Sequence, residues 1–277
     1  MRLTNLYYGL AAAVAIGFAA EAHAQKSPVG TWEFLISGSQ GVGIAYLTFK
    51  DDFSFSGQEL LTTKTRKASE DVARGGEGIG RYPTSGSSTN VSKSTTNLFG
   101  FGAVEGPWIY DAKGRVTGYF VEEVSIAGST NVVRNSVAFT AKVVPGKRMT
   151  LAASTANGKV TYSGVPISTS LPNLTGSWNG LKKEGKQKFV ELFDLFPNAT
   201  GPYLFNMTGT GAGYSFDGLA MVSARKKIGF TSIVTPDGST NTILRSVVGT
   251  FNPRKSQAKT KGAELGTGTI SFDASRY

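Results

Sequence analysis

Residues 120–158 return at 230–268 with every match displaced by the same 110 positions. Both copies carry Gly-Ser-Thr-Asn, at Gly128, Ser129, Thr130 and Asn131 and again at Gly238, Ser239, Thr240 and Asn241. Without a gap, the same offset pairs Phe120 with Phe230, Val124 with Val234, Ser136 and Val137 with Ser246 and Val247, Thr140 with Thr250, and Gly158 with Gly268. Between 118–164 and 228–274, 12 of 47 positions are identical, and Val160 against Ile270 and Tyr162 against Phe272 are conservative. Identity at constant spacing identifies one structural unit used twice.

The unit reads as two strands and a turn. Within 132–143, Val133, Val137, Phe139, Ala141 and Val143 share one parity with Asn135, while Arg134, Ser136, Thr140 and Lys142 occupy the other. That period of two makes a strand with one buried face. Phe120, Val124 and Ile126 share the buried face of a preceding strand, and Gly-Ser-Thr-Asn lies between the two. Setting Gly128 opposite Asn131 places Phe120 opposite Phe139 and Ile126 opposite Val133, so the apolar faces coincide. The same register leaves Glu122 and Asn135 on the apolar face at diagonal positions, with Ser232 and Arg245 as their equivalents in the second copy. A polar group facing an interior costs roughly 1–3 kcal/mol if left unpaired. These four residues are therefore candidate ligand contacts, the plainer alternative being a barrel rim that touches water.

Arg2, the apolar run at 10–20 and Ala22-His23-Ala24 before Gln25 are laid out as a signal peptide over 1–24 with an A-x-A cleavage site. The run is too short to anchor as a bilayer-spanning helix, and no other stretch approaches a transmembrane span. No cysteine follows the cleavage site to carry a lipid. The reading expects an exported protein, in a bacterial periplasm or the surrounding medium. Cleavage takes one of 29 basic and one of 19 acidic residues, leaving 28 and 18 and a net charge still of +10.

It also removes His23, the single histidine, from a chain with no cysteine. A thiol nucleophile, a disulfide, an imidazole base and the usual zinc or copper ligands are thereby excluded, and no cofactor or metal site is expected. The basic excess points to anionic partners such as envelope polysaccharide. Its clusters are short: Lys64, Arg66 and Lys67; Lys182, Lys183, Lys186 and Lys188; Arg225, Lys226 and Lys227; Arg254 and Lys255. They are not interleaved with stacking aromatics, so a nucleic-acid partner is not expected, and a solvated surface is the bland alternative.

Taken in order, repeat 1 (25–165) opens on Gly30-Thr31-Trp32 and repeat 2 (174–277) on Gly176-Ser177-Trp178, an offset of 146. Residues 44–49 read as matching 203–208, and 53–57 as matching 214–218, the latter at an offset of 161. On that alignment repeat 1 carries an insert at 58–112, hydroxyl-rich at 84–96 and ending in Phe99, Phe101, Trp108 and Tyr110. An insert in one copy is where a specialised function most easily sits, so Trp108 and Tyr110 are candidate ligand contacts, against the alternative that they pack as the next strand. The same alignment gives repeat 2 an extra piece after Trp178. In it Phe189, Leu192, Phe193 and Phe196 follow helical spacing before Pro197, so a short amphipathic helix near 186–196 is expected, with a strand as the alternative. The prolines and hydroxyl residues of 166–173 read as a linker.

Strands at about ten-residue spacing, hairpin turns and a Gly-x-Trp at each opening resemble the calycin-type up-and-down barrels of lipocalins and avidins. Asn173-Leu174-Thr175-Gly176-Ser177-Trp178 carries the likeness most fully. The resemblance implies structural roles for Trp32 and Trp178 across a closed barrel end, and an apolar cup at the other end. The expected fold is all-β: two tandem antiparallel up-and-down barrels.

Acid-base chemistry without histidine falls to carboxylates, and neither Asp51-Asp52 nor Glu122-Glu123 has the facing geometry a glycosidase uses. The glycine-rich runs at 75–80 and 209–213 lack the strand-to-helix setting and lysine of a phosphate-binding loop. The expectation is a non-enzymatic exported protein whose barrels take a small apolar or amphipathic ligand. The alternative is a surface or matrix protein that binds anionic glycans, or other copies of itself, through its basic exterior. The residues set no oligomeric state.

Overall fold

Alternating burial, with a buried side chain at every second position, recurs through the chain and closes it into two barrels. The computed structural model describes residues 27–38, 41–63, 100–111, 115–125, 132–155, 158–264 and 267–277. Barrel 1 is built from β1 (Gly30–Gly38), β2 (Gly41–Phe49), β3 (Ser54–Thr63), β4 (Gly100–Tyr110), β5 (Val116–Ser125), β6 (Val132–Val144), β7 (Arg148–Thr155) and β8 (Gly158–Pro166). Barrel 2 is built from β9 (Gly176–Glu184), β10 (Gln187–Pro197), β11 (Leu204–Gly211), β12 (Tyr214–Val222), β13 (Lys227–Pro236), β14 (Ile243–Asn252), β15 (Gln257–Glu264) and β16 (Gly268–Arg276). Each is a closed eight-stranded antiparallel barrel in which every strand pairs with its sequence neighbours and the last strand pairs back on the first. Closure removes the exposed edges an open sheet would present. The architecture is compatible with a calycin-like fold. The signal-peptide segment 1–24 lies outside the described residues, as does most of the expected insert. Among the described residues, no helix is long and apolar enough to cross a membrane.

The repeated unit comprises β5 and β6 in one barrel and β13 and β14 in the other, with one correction of register. Phe120 pairs with Val137 and Glu122 with Asn135; Phe230 pairs with Val247 and Ser232 with Arg245. The polar residues of each pair are therefore directly opposite, not diagonal. In barrel 2 the reason is visible: the hairpin tip falls a residue earlier than Gly-Ser-Thr-Asn suggests, with Gly238 at φ 70° and Ser239 N donating to Pro236 O. A slip of two residues keeps every side chain on its face, and Phe120, Phe139 and Ala141 are buried as the alternation requires.

The expected helix near 186–196 is strand β10. Glu191, Phe193 and Leu195 point inward and are buried, while Val190, Leu192 and Phe196 are exposed on the outer face. Apolar residues on both faces of a strand imitate helical spacing. This also corrects the offset of 161, which had matched second and third strands of barrel 1 to third and fourth strands of barrel 2. Strand order matches β2 to β10 at the same offset of 146 that relates Trp32 to Trp178. No extra piece follows Trp178, and 58–63 and 100–110 are barrel strands; the length difference sits between β3 and β4.

Aromatic residues fill the interiors. Barrel 1 packs Trp32, Phe34, Phe49, Phe55, Phe120, Phe139 and Tyr162, and barrel 2 packs Trp178, Phe193, Phe205, Phe216, Phe230, Phe251 and Phe272. Trp32 and Trp178 play the same part: each is buried and donates its indole N–H to the carbonyl four residues earlier, Pro28 at 2.6 Å and Leu174 at 2.9 Å. The preceding glycines, Gly30 and Gly176, share φ of 119° and 125°, a backbone shape costly for any other residue.

The barrels lie side by side. Ile44, Tyr46 and Leu60 of barrel 1 pack with Leu204 and Met221 of barrel 2, and Tyr46 stacks on Tyr203 at 3.9 Å between ring centroids. Polar ties fix the joint: Tyr46 Oη donates to Val222 O, Thr62 Oγ1 to Ser246 O, and Ser246 Oγ to Leu61 O. Glu33, fully buried, accepts from Ser223 Oγ at 2.5 Å, Ala224 N at 2.8 Å and Arg225 Nε at 2.8 Å.

Candidate functional site

Among the described residues, two places concentrate charge, at opposite ends of barrel 2. The first lies beyond the Trp178 end, where the turns β12–β13 and β14–β15 wall a groove of about 810 Å³. Its lining includes Arg225, Lys226, Lys227, Arg254, Lys255 and Lys259, with Thr250, Phe251, Asn252, Pro253 and Gln257, and no carboxylate. Strand pairing builds it: Lys227 sits opposite Thr250 on β14, and Thr250 opposite Lys259 on β15. Asn252 Oδ1 accepts from Arg254 N at 3.1 Å and Lys255 N at 3.4 Å, which sets the second turn. Arg225 is partly committed, to Glu33 and, through Nη2, to Ser163 O at 2.8 Å. Lys226, Arg254, Lys255 and Lys259 are exposed. A concave surface carrying one sign of charge focuses the field and attracts the opposite sign.

The second place is inside barrel 2 at the other end. Arg245, 2% exposed, gives Nε to Glu264 at 2.9 Å and Nη1 to Glu191 at 2.8 Å, with its guanidinium carbon 5.2 Å from the ring centroid of Phe216. Lys182 Nζ bridges Glu184 at 2.6 Å and Glu264 at 3.2 Å, lying over the rings of Phe189 and Tyr214. Tyr214 Oη donates to Glu191 at 2.5 Å. Burial pushes the Glu264 carboxyl up, but Arg245 and Lys182 outweigh it and hold it below its usual value. Burial pulls the Arg245 guanidinium down, and Glu191 and Glu264 overcome that and raise it. Tyr214 is raised, first by burial and then by its hydrogen bond to Glu191. These shifts lock the charges in place. A general acid needs the reverse, a carboxyl held protonated near neutral pH.

Of the residues expected from sequence, Ser232 and Arg245 come together as cross-strand partners, both buried. Their counterparts Glu122 and Asn135 pair across β5 and β6 in the backbone register, and their side chains lie outside the described residues. Trp108 and Tyr110 are elsewhere. Trp108 is 2% exposed, donates Nε1 to Ser54 O at 3.1 Å and meets Tyr110 edge-on at 5.5 Å; both pack with the barrel 1 interior on strand β4. Sequence reasoning did not single out Glu191, Glu264 or Glu33. Glu191 shares the buried parity of Phe193 and Leu195, a signal that the helical reading hid.

The comparisons with known proteins add no relationship: neither the family models nor the curated proteins match this sequence.

Proposed function

We propose that this is a non-enzymatic binding protein, a rigid pair of calycin-like barrels that holds an anionic polymer, of the envelope-glycan kind, in the basic groove of barrel 2. The observation that carries the reading is a groove lined by six cationic side chains with no carboxylate among its walls. The aromatic filling of both barrel interiors turns the reading outward, toward the alternative read from the charge balance. An export signal at 1–24 would put envelope polysaccharide within reach of such a groove. Pro253, exposed on the β14–β15 turn, offers apolar contact for a sugar face beside the charges.

The experiment is fluorescence anisotropy with a labelled sulfated oligosaccharide, from about 0.02 M to about 0.3 M salt, over which the screening length falls from roughly 20 Å to roughly 6 Å. Affinity should fall steeply across that range. The double charge reversal Arg254→Glu/Lys255→Glu should weaken low-salt binding by about tenfold or more, equivalent to about 1.4 kcal/mol, with an unchanged far-ultraviolet spectrum. Binding that ignores salt, or a reversal variant that binds like the parent, would refute the reading.

A further inference from the structure

The charged layer inside barrel 2 is complete except at one point. Arg245 Nη2 and Ser232 Oγ are buried and have no hydrogen-bond partner among the described residues. They belong to directly opposed residues on β13 and β14, both facing the interior. An orphan donor in a low-dielectric setting is a standing demand for an acceptor. Guanidinium nitrogens only donate, and a serine hydroxyl can donate as well, so what would satisfy them is an oxygen acceptor.

The charges around it restrict what kind of oxygen. Arg245 and Lys182 are each in contact with Glu264, and Arg245 also holds Glu191, so the buried cations and carboxylates balance. Glu184, half-buried on Lys182, adds a further negative charge at the rim. An incoming carboxylate or phosphate would enter a layer already neutral or negative, whereas a carbonyl or hydroxyl oxygen would not disturb the balance. The walls suit an apolar body. Phe216 and Phe272 flank the guanidinium, and Phe189 and Tyr214, both half-buried, stand on the mouth side beneath the Lys182 ammonium. Lys182, paired to Glu184 and Glu264, closes the layer on the mouth side, and entry would require its flexible stem to swing aside.

We infer that the mouth of barrel 2 opposite the basic groove is a second binding site, for a small neutral molecule that presents a carbonyl or hydroxyl oxygen on an apolar ring or short chain. Arg245 Nη2 and Ser232 Oγ bind the oxygen, and Lys182 covers it. This site is independent of the groove, and each can fail without the other.

The test uses the full-length mature protein and three probes of one size: cyclohexanone, cyclohexanecarboxylate and cyclohexane. The readouts are saturation-transfer NMR on the probes and the Arg245 Nε–H cross-peak of the protein. Cyclohexanone should bind and move that cross-peak, and the carboxylate should bind at least about tenfold more weakly, as expected for an unpaired charge. Ser232→Ala should weaken cyclohexanone several-fold while leaving sulfated-oligosaccharide affinity at the parent value. The inference is overturned if no probe moves the Arg245 signal, if the carboxylate binds best, or if water-to-side-chain cross-relaxation shows a long-lived water held there against all three probes.

Discussion

Glu33 shows how a single residue ties the two barrels. Burial pushes its carboxyl up, but hydrogen bonds from Ser223, Arg225 and Ala224 outweigh this and leave it below its ordinary value of 4.5. Glu264 is depressed in the same way by Arg245 and Lys182. A carboxyl whose folded value is lowered contributes stability that is fully present above its unfolded value and is lost as pH falls through the folded one. Urea unfolding should therefore give a flat stability above pH of about 4.5 and a decline below it. Glu33→Gln should cost about 1–3 kcal/mol at neutral pH and make the acid decline shallower. Inside barrel 2, Arg245→Met takes the cation from Glu191 and leaves Glu264 to Lys182 alone, and should cost roughly 3–5 kcal/mol, with Glu191→Gln/Glu264→Gln in the same background restoring part of it. Chemical denaturation of the variants measures both. Lys182 and Lys183 show what a charge cluster in a sequence conceals. As neighbours on β9 they point to opposite faces, Lys182 into the barrel toward Glu264 and Lys183 outward to Asp273 at 2.7 Å.

Among the elements, β10 gives the sharpest contrast between adjacent residues. Leu192 is 50% exposed and Phe193 is 3% exposed. Leu192→Lys should change stability by less than about 0.5 kcal/mol, whereas Phe193→Ala should cost roughly 3–5 kcal/mol. An amphipathic helix would have placed both on its apolar face, so the pair of melts also tests the strand assignment. At the opening of β9, Gly176 holds φ 125° where L side chains rarely sit. Gly176→Ala should cost roughly 1–3 kcal/mol from backbone shape alone, because Trp178 still docks on the Leu174 carbonyl. The paired tryptophans and the repeated hairpin were readable in the sequence because each depends on local spacing. The β10 assignment was not, since apolar residues on the outer face obscure a period of two. The groove was not either: its walls, Arg225 to Lys227 and Arg254 to Lys255, become neighbours only when β13 and β14 pair and the barrel closes. Arg245 and Ser232 could be named as inward polar residues, but the carboxylates completing their layer come from β10 and β15, strands with no shared motif to link them.

The molecule as a whole is a duplicated barrel whose copies have diverged in their interiors and are fused along one side. Where barrel 1 has Ile36 and Ala45, barrel 2 has Lys182 and Glu191 at the same offset of 146, so one copy carries charge at these positions and its twin does not. The joint through Tyr46, Leu60, Met221 and the Glu33–Arg225 pair should make unfolding of the two barrels a coupled event. Leu60 lies against Gly229, where an added Cβ would come within 2.7 Å of it. Gly229→Val should force the barrels apart at that contact and split a single denaturation transition into two, read by fluorescence and circular dichroism together.

The proposed role rests on where an anionic chain sits on this double barrel. Backbone amide NMR of the mature protein, titrated with a defined sulfated oligosaccharide at low salt, locates it residue by residue. The account predicts shifts concentrated at 224–227 and 250–259, with the Gly38 end of barrel 1 and the mouth of barrel 2 unmoved. Shifts spread evenly over the lysines and arginines of both barrels, or centred away from those two turns, would contradict it.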